Sequence, residues 1–214
     1  MRVSETFRSL QGEGPSAGAP ATFVRFQGCD VGCAWCDTRY TWDPRLGREV
    51  ALADLLTELD SLAPRDLLVI TGGEPLAVDG FPDLAAAACD RWTRVEVETS
   101  GIHPPPLDRL NLFWNWSPKL PSATPHWQDT WAYAAAWAGD PRAIAKIVVG
   151  KLDEPDLLRL ARRLPKEKVW LMGEGMTPAA LRANSELAAA ICLREGWRLS
   201  PRLHVWLWGA RRGV

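Results

Sequence analysis

Three cysteines stand close together in the run Cys29-Asp-Val-Gly-Cys33-Ala-Trp-Cys36, directly after a segment that reads as a strand. Thiolates are the usual ligands of iron–sulfur clusters. A four-iron cubane held by three local cysteines keeps one iron open, and an open metal position marks catalysis rather than structure. Gly28 and Gly32 let such a loop wrap tightly around an inorganic core. The remaining cysteines, Cys89 and Cys192, fall in Ala-rich helical segments and read as small core residues. A structural zinc ion is the rival occupant. It needs a fourth ligand, for which Asp30 and Asp37 stand near and His103 stands far along the chain. Three incidental cysteines are the third reading.

Other candidates for chemistry lie downstream. Thr71-Gly72-Gly73-Glu74-Pro75 follows the apolar run Leu67 to Thr71, where glycines allow close approach and an acid suits an ammonium group. Glu98-Thr99-Ser100-Gly101 and Ser117-Pro118-Lys119 each follow a further strand-like run. Upstream, Ser9-Leu10-Gln11-Gly12-Glu13-Gly14 precedes the cysteine strand, which carries Arg25, and Cys36-Asp37-Thr38 follows it. Taken singly, each has a plain structural reading: a capped turn, a solvated loop glutamate, an ordinary strand arginine. His103 and His126 sit beside prolines and read as loop residues.

The elements that must position these residues alternate between strand and helix. Residues 21–27, 67–71, 94–98, 112–116, 143–149 and 169–172 read as strands. Residues 51–62 place Leu52, Leu55, Leu56, Leu59 and Leu62 on one helical face, and residues 81–92 suit a helix. Asp153 caps a helix running to Arg163, and Thr177-Pro178 opens another that Gly196 ends. The tail from Trp197 to Trp208 reads as extended. Strands separated by helices predict parallel pairing with right-handed crossovers. The fold class is therefore α/β, mostly parallel, as a partial (trimmed) α/β barrel in a single domain over residues 1–214. A full eight-fold barrel takes about 250 residues. In such barrels the chemistry sits at the C-terminal ends of the strands, where these motifs fall.

Composition narrows the classes. A net charge of -1 gives no general attraction to phosphate backbones, so no nucleic-acid partner is expected. The apolar stretches fall short of the roughly 20 residues a spanning helix needs, so no membrane is expected. The N-terminus lacks the apolar core of a signal peptide, and the expected location is cytoplasmic. There, clustered cysteines are metal ligands or catalysts rather than disulfides. The twelve tryptophans read mostly as large core fillers.

The cysteine spacing, with Trp35 before the last cysteine and the Gly-Gly-Glu-Pro run after the next strand, resembles the radical S-adenosylmethionine (SAM) superfamily. The N-terminal Gln11-Gly12-Glu13 segment, Arg25, Thr38 and the tail Leu203 to Gly209 are similar to the 7-carboxy-7-deazaguanine synthase family, over nearly the whole chain. That resemblance implies a 4Fe-4S cluster on Cys29, Cys33 and Cys36, which are also the catalytic residues. It implies SAM held by Trp35, Gly73, Glu74, Glu98, Ser100, Ser117 and Lys119, with Met172 to Met176 nearby. It implies magnesium (Mg2+) on Thr38. Substrate binding would fall to Leu10, Gln11, Gly12, Glu13, Arg25, Thr71, Gly72, His204 and the terminal carboxylate of Val214.

The implied reaction converts the pterin 6-carboxy-5,6,7,8-tetrahydropterin to 7-carboxy-7-deazaguanine with loss of ammonia, on the route to queuosine and other 7-deazapurines. Reductive cleavage of SAM starts it, by hydrogen abstraction at C6, and the hydrogen returns at the end. An electron donor such as flavodoxin or ferredoxin and a homodimer are implied as well. Two other readings remain open at this point: a glycyl-radical enzyme activase, which shares the cysteine spacing, and a zinc-bearing binding module.

Overall fold

The computed structural model describes residues 1–62, 65–209 and 211–214. Among them nine strands form one sheet: β1 (Arg2–Leu10), β2 (Pro20–Phe26), β3 (Arg48–Glu49), β4 (Leu67–Gly72), β5 (Arg94–Thr99), β6 (Leu112–Trp116), β7 (Ala143–Val149), β8 (Val169–Gly173) and β9 (Arg198–Ser200). Their spatial order is β3-β1-β2-β4-β5-β6-β7-β8-β9. From β2 to β9 every pairing is parallel, whereas β1 pairs antiparallel with β2 and β3. The helices are α1 (Leu52–Ser61), α2 (Phe81–Cys89), α3 (Ala134–Gly139), α4 (Glu154–Ala161), α5 (Pro178–Glu195) and α6 (Leu203–Trp208).

Burial explains the pattern. Leu67 to Thr71 in β4 are buried, as a parallel strand covered on both faces requires. Leu55, Leu56 and Leu59 of α1 and Leu84, Ala85 and Ala88 of α2 pack beneath β2, β4 and β5. A second cluster joins α4 and α5 to β7 and β8 through Leu157, Leu160, Ala188 and Ile191. Trp114, Trp116 and Trp137 are fully buried and pack edge-on or stacked, so these tryptophans are core fillers as expected. Thr177 caps α5 by accepting from the Ala180 N–H, and Gly196 ends it at a φ of 74°.

The sheet is open but curled. The turn after β1 reaches across to the far edge: the Gly14 N–H donates to Ser200 Oγ at 2.8 Å, and the Leu203 N–H donates to the Gly12 carbonyl at 3.0 Å. This partial barrel matches the expected fold class. Three local expectations change. β1 is a nine-residue strand that periodicity missed, because its sequence carries charged residues and most of its side chains are only half-buried. The tail is not extended throughout: after the short β9, residues 203–208 form α6, because Val205 must turn inward beside the β1 turn. A short aromatic and apolar run does not distinguish strand from helix by itself. Asp153 does not cap α4 with its side chain. It accepts from the Gly150 N–H at 2.6 Å and from Ser122 Oγ, and α4 ends at Ala161.

Candidate active site

The C-terminal ends of the strands surround a cavity of about 250 Å³. Every site residue expected from the sequence lines it except Glu74. Residues remote in sequence are thus brought to one chamber by strand order.

The cysteine loop leaves β2 and is held by backbone hydrogen bonds on both sides. The Gly28 and Cys29 N–H groups donate to the Thr41 and Trp42 carbonyls at 2.6 and 3.3 Å. The Ala34 N–H donates to the Ala123 carbonyl at 2.8 Å, and Thr124 Oγ1 donates to the Val31 carbonyl at 2.6 Å. The segment after β6 therefore clamps the loop from one side, and residues 38–42 clamp it from the other. Cys29, Cys33 and Cys36 are free thiols facing the cavity. Burial pushes Cys29 up to about 11 and raises Cys33 as well, so both stay protonated until a cation replaces the proton. Among the described residues no three His, Cys, Asp or Glu converge on the position of a single ion. A four-iron cluster is a larger body whose thiolates stand apart, and three soft donors on one cavity-facing loop suit it.

Gly72 and Gly73 serve this loop. A Cβ on Gly73 would lie 1.9 Å from the Gly28 carbonyl oxygen and 2.9 Å from Cys29 Cβ, and one on Gly72 would lie 2.4 Å from the Phe26 nitrogen. The glycines allow the end of β4 to press against the start of the cysteine loop. Glu74 is 1% exposed and turned away from the cavity. Its carboxylate accepts from Thr99 Oγ1 at 2.6 Å, from the Leu76 N–H at 3.1 Å, and from the Ser100 N–H and hydroxyl. Four protein donors reach its oxygens, and it ties β4 to β5. Ser100 itself lines the cavity. Across from it, Lys119 Nζ lies 2.9 Å from Ser117 Oγ and 5.5 Å from the Trp35 ring centroid, so these three expected residues form one contact group. Met172 and Met176 line the adjacent wall.

Another part of the lining is a network of charges from strands and the turns beside them. Lys146, from the middle of β7, is 2% exposed. Its ammonium donates to Glu13 Oε2 and, at 3.2 Å, to Glu98 Oε1. Gln11 Nε2 donates weakly to Glu98 and Glu96 at 3.4 Å each, and Thr71 Oγ1 donates to Glu98 Oε2 at 2.9 Å. Glu98, expected beside SAM, is thus bonded to two residues expected beside the substrate. On its other oxygen Glu13 faces Arg202 Nε at 3.5 Å and His204 Nε2 at 3.9 Å. Burial alone would raise the Glu13 carboxyl; Lys146, Arg202 and His204 outweigh it and hold the group below its ordinary 4.5. Burial, only partly offset by Glu13, holds His204 below the ordinary imidazole value. Gly12 is needed at the same place, since a Cβ there would lie 2.3 Å from His204 Nδ1.

Arg202 also contacts Asp37 and donates to the Gly175 carbonyl at 2.7 Å, linking the cysteine loop, the β1 turn and the β8–α5 loop. Sequence reading missed Lys146, Arg202 and Glu96. The one available signal was a lysine inside the otherwise apolar strand Ala143 to Val149. Thr38, whose hydroxyl lies 3.6 Å from Cys36 Sγ, faces the cavity. Arg25 faces it too, but its Nε donates to Glu5 at 2.8 Å. Glu5 also accepts from Tyr40 and from Arg212, and Arg212 stacks over the Tyr40 ring at 4.3 Å. This brings the stretch ending at Val214 over the mouth of the cavity. Cys89 and Cys192 lie in helices, and His103 and His126 are exposed, as expected.

Comparison with known proteins matches this geometry. Residues 23–116 match the Radical SAM superfamily. The chain is 38% identical to the 7-carboxy-7-deazaguanine synthase of Pyrobaculum aerophilum, covering 100% of this chain and 97% of that one. It is 31% identical to the enzyme of the same name from Escherichia coli K12, covering 96% and 97%. The crystal structure of QueE from Escherichia coli superposes with a TM-score of 0.67 at 30% identity, over 93% of this chain and 92% of that one. With the cysteine loop, the glycine pair pressed against it and this full-length likeness in hand, the chain belongs to the 7-carboxy-7-deazaguanine synthase family of radical SAM enzymes.

Proposed function

We propose that this cavity contracts the ring of 6-carboxy-5,6,7,8-tetrahydropterin to 7-carboxy-7-deazaguanine, releasing ammonia. The observation that carries the reading is that the cysteine loop and the Gln11–Glu13–Glu98 network line one chamber. Cys29, Cys33 and Cys36 hold the cluster, and Trp35, Ser100, Ser117 and Lys119 form the SAM side. When bound, the cluster and SAM would supply one-electron reduction and radical hydrogen-transfer chemistry at C6 of the pterin.

The chain's own residues orient the substrate. An aminopyrimidinone edge presents paired N–H donors, and the carboxyl oxygens of Glu13 and Glu98 are acceptors suited to such a pair. Arg25 supplies the fork that pairs with the pterin carboxylate, in exchange for part of its contact with Glu5. His204 closes over Gly12 and keeps water from the acceptor edge. Thr38 is the protein oxygen donor for Mg2+, a hard ion that keeps most of its water. We assign the electron to a flavodoxin or ferredoxin, the assembly to a homodimer and the reaction to the cytoplasm. Among the described residues no helix is long and apolar enough to cross a membrane. Membership in the synthase family displaces the activase and zinc-module readings.

The test is a product assay with anaerobically reconstituted protein, SAM, magnesium, reductant and the carboxypterin. SAM-dependent 7-carboxy-7-deazaguanine, read by mass spectrometry, is the expected result. Deoxyadenosine without that product removes this substrate and keeps the radical SAM chemistry.

A further inference from the structure

Lys146 is the one residue of β7 with a charged side chain, flanked by Ala145 and Ile147 in a strand that is otherwise apolar. A methionine or leucine would fill that place without the cost of burying an ammonium, and replacing a buried ion pair by apolar groups is often neutral or stabilising. Fold stability therefore does not explain the lysine. Its partners do. The ammonium bridges Glu13, from the turn after β1, and Glu98, from the end of β5. Both carboxylates face the cavity, and β2 and β4 lie between β1 and β5, so no direct backbone pairing fixes the distance between the two acids.

We infer that Lys146 is a positioning residue for substrate specificity: it sets the spacing of Glu13 and Glu98 so that the pair accepts adjacent N–H donors of a planar, guanidine-like ring edge. This deepens the proposed function and rests on it. The surrounding charges support the assignment. Arg202 and His204 lie within 4 Å of Glu13, and Gln11 and Thr71 donate to Glu98. Glu96, the third acid nearby, is already taken by Arg94, Asn115 and Ser16. Lys146 is thus the cation that bridges the two acids lining the cavity. Without it two carboxylates would share a dry wall with one fewer cation, and like charges in such a place raise one another's pKa.

The experiment compares wild type, Lys146→Met and Lys146→Arg, each reconstituted with its cluster and checked by visible absorbance and circular dichroism. Steady-state kinetics with the carboxypterin are measured between pH 5.5 and 8.5, and SAM binding is measured separately. In Lys146→Met the pterin KM is expected to rise by about thirtyfold or more, an effect of the size seen when one partner of a buried charge pair is removed. SAM affinity is expected to stay within threefold. The pH below which KM climbs is expected to move up by about one unit, and Lys146→Arg is expected to bring it back. A purely structural lysine moves neither the pH profile nor the KM selectively.

Lys146→Met with a pterin KM within twofold of wild type overturns the inference, as does an equal loss in SAM and pterin affinity. Wild type that does not turn over the pterin removes the proposed function and this inference together, which separates the two failures. Should Lys146→Met not hold its cluster, Lys146→Gln, which keeps a hydrogen-bond donor but loses the charge, is read against the same KM thresholds.

Discussion

The two walls of the cavity are built on opposite principles. The cysteine loop is irregular backbone, pinned by main-chain hydrogen bonds to residues 41–42 and 123, with its thiols left facing the cavity. The other wall is built from three strands and the turn after β1, and its side chains bond to one another: Gln11, Glu13, Glu96, Glu98, Asn115 and Lys146 form a continuous network. A loop held by its backbone can spend its side chains on an inorganic ligand. A wall held by its side chains is shaped for one organic outline, and each member depends on its neighbours.

The largest effect separating the walls is expected from Cys33→Ala. It should abolish cluster binding and all turnover while leaving the fold intact, because the loop lies outside the helix-covered core. Iron content and visible absorbance report the loss, and an unchanged circular dichroism spectrum reports the fold. A variant that keeps full cluster and SAM cleavage would remove Cys33 from the ligand set.

Glu13→Ala should act on the other wall alone. Pterin turnover is expected to fall by about a hundredfold, with Lys146 and Arg202 left facing an empty place. SAM binding and uncoupled deoxyadenosine formation should be spared. Equal losses in both would show that the walls do not work separately.

Gly73→Ala probes the loop through its support. The added Cβ cannot fit 1.9 Å from the Gly28 carbonyl, so the loop must shift. Cluster occupancy is expected to drop by about half or more, at a stability cost of about 1–3 kcal/mol. Glu74→Gln should be milder: an amide still accepts at one oxygen but leaves Ser100 or Thr99 unpaired, costing about 2 kcal/mol. For a chain of this size that corresponds to about 4–8 °C in Tm. A Tm change under 1 °C would deny Glu74 its tie between β4 and β5.

The smallest effect is in acid. The Glu13 carboxyl is held below 4.5 in the folded state by Lys146, Arg202 and His204. A depressed folded value means the stabilisation is complete above 4.5 and lost as the pH falls below it. Thermal melts from pH 7 to 3 should therefore show a loss on the order of 2 kcal/mol below pH 4.5 that Glu13→Gln lacks. Glu5, also held down by Arg212, Tyr40 and Arg25 against its burial, adds to the acid loss in both proteins.

Much of the site was legible from the chain. The cysteine run, the Gly-Gly-Glu-Pro turn and the Gln11–Glu13 segment are local, and in a parallel α/β sheet the ends of successive strands necessarily meet at one rim. β2, β4, β6, β7 and α5 fell close to the expected residues for the same reason: their apolar runs, caps and glycines act at short range. β1 and α6 were not legible, because their half-buried side chains and their packing on each other's turn are long-range facts.

What the sequence determined by itself is the chemistry available: three thiols on one loop, acids and glycines after the strands. Tertiary structure alone decided the division of labour among those groups. Glu74, legible as a ligand contact, accepts from Thr99, Leu76 and Ser100. Glu98 turns toward Gln11 and Thr71, and Lys146, unreadable inside an apolar strand, sits between two acids. The reason is physical. A thiol's role follows from its own electrons and its near neighbours in the chain, whereas a buried charge takes its role from whichever opposite charge the fold brings within hydrogen-bond reach.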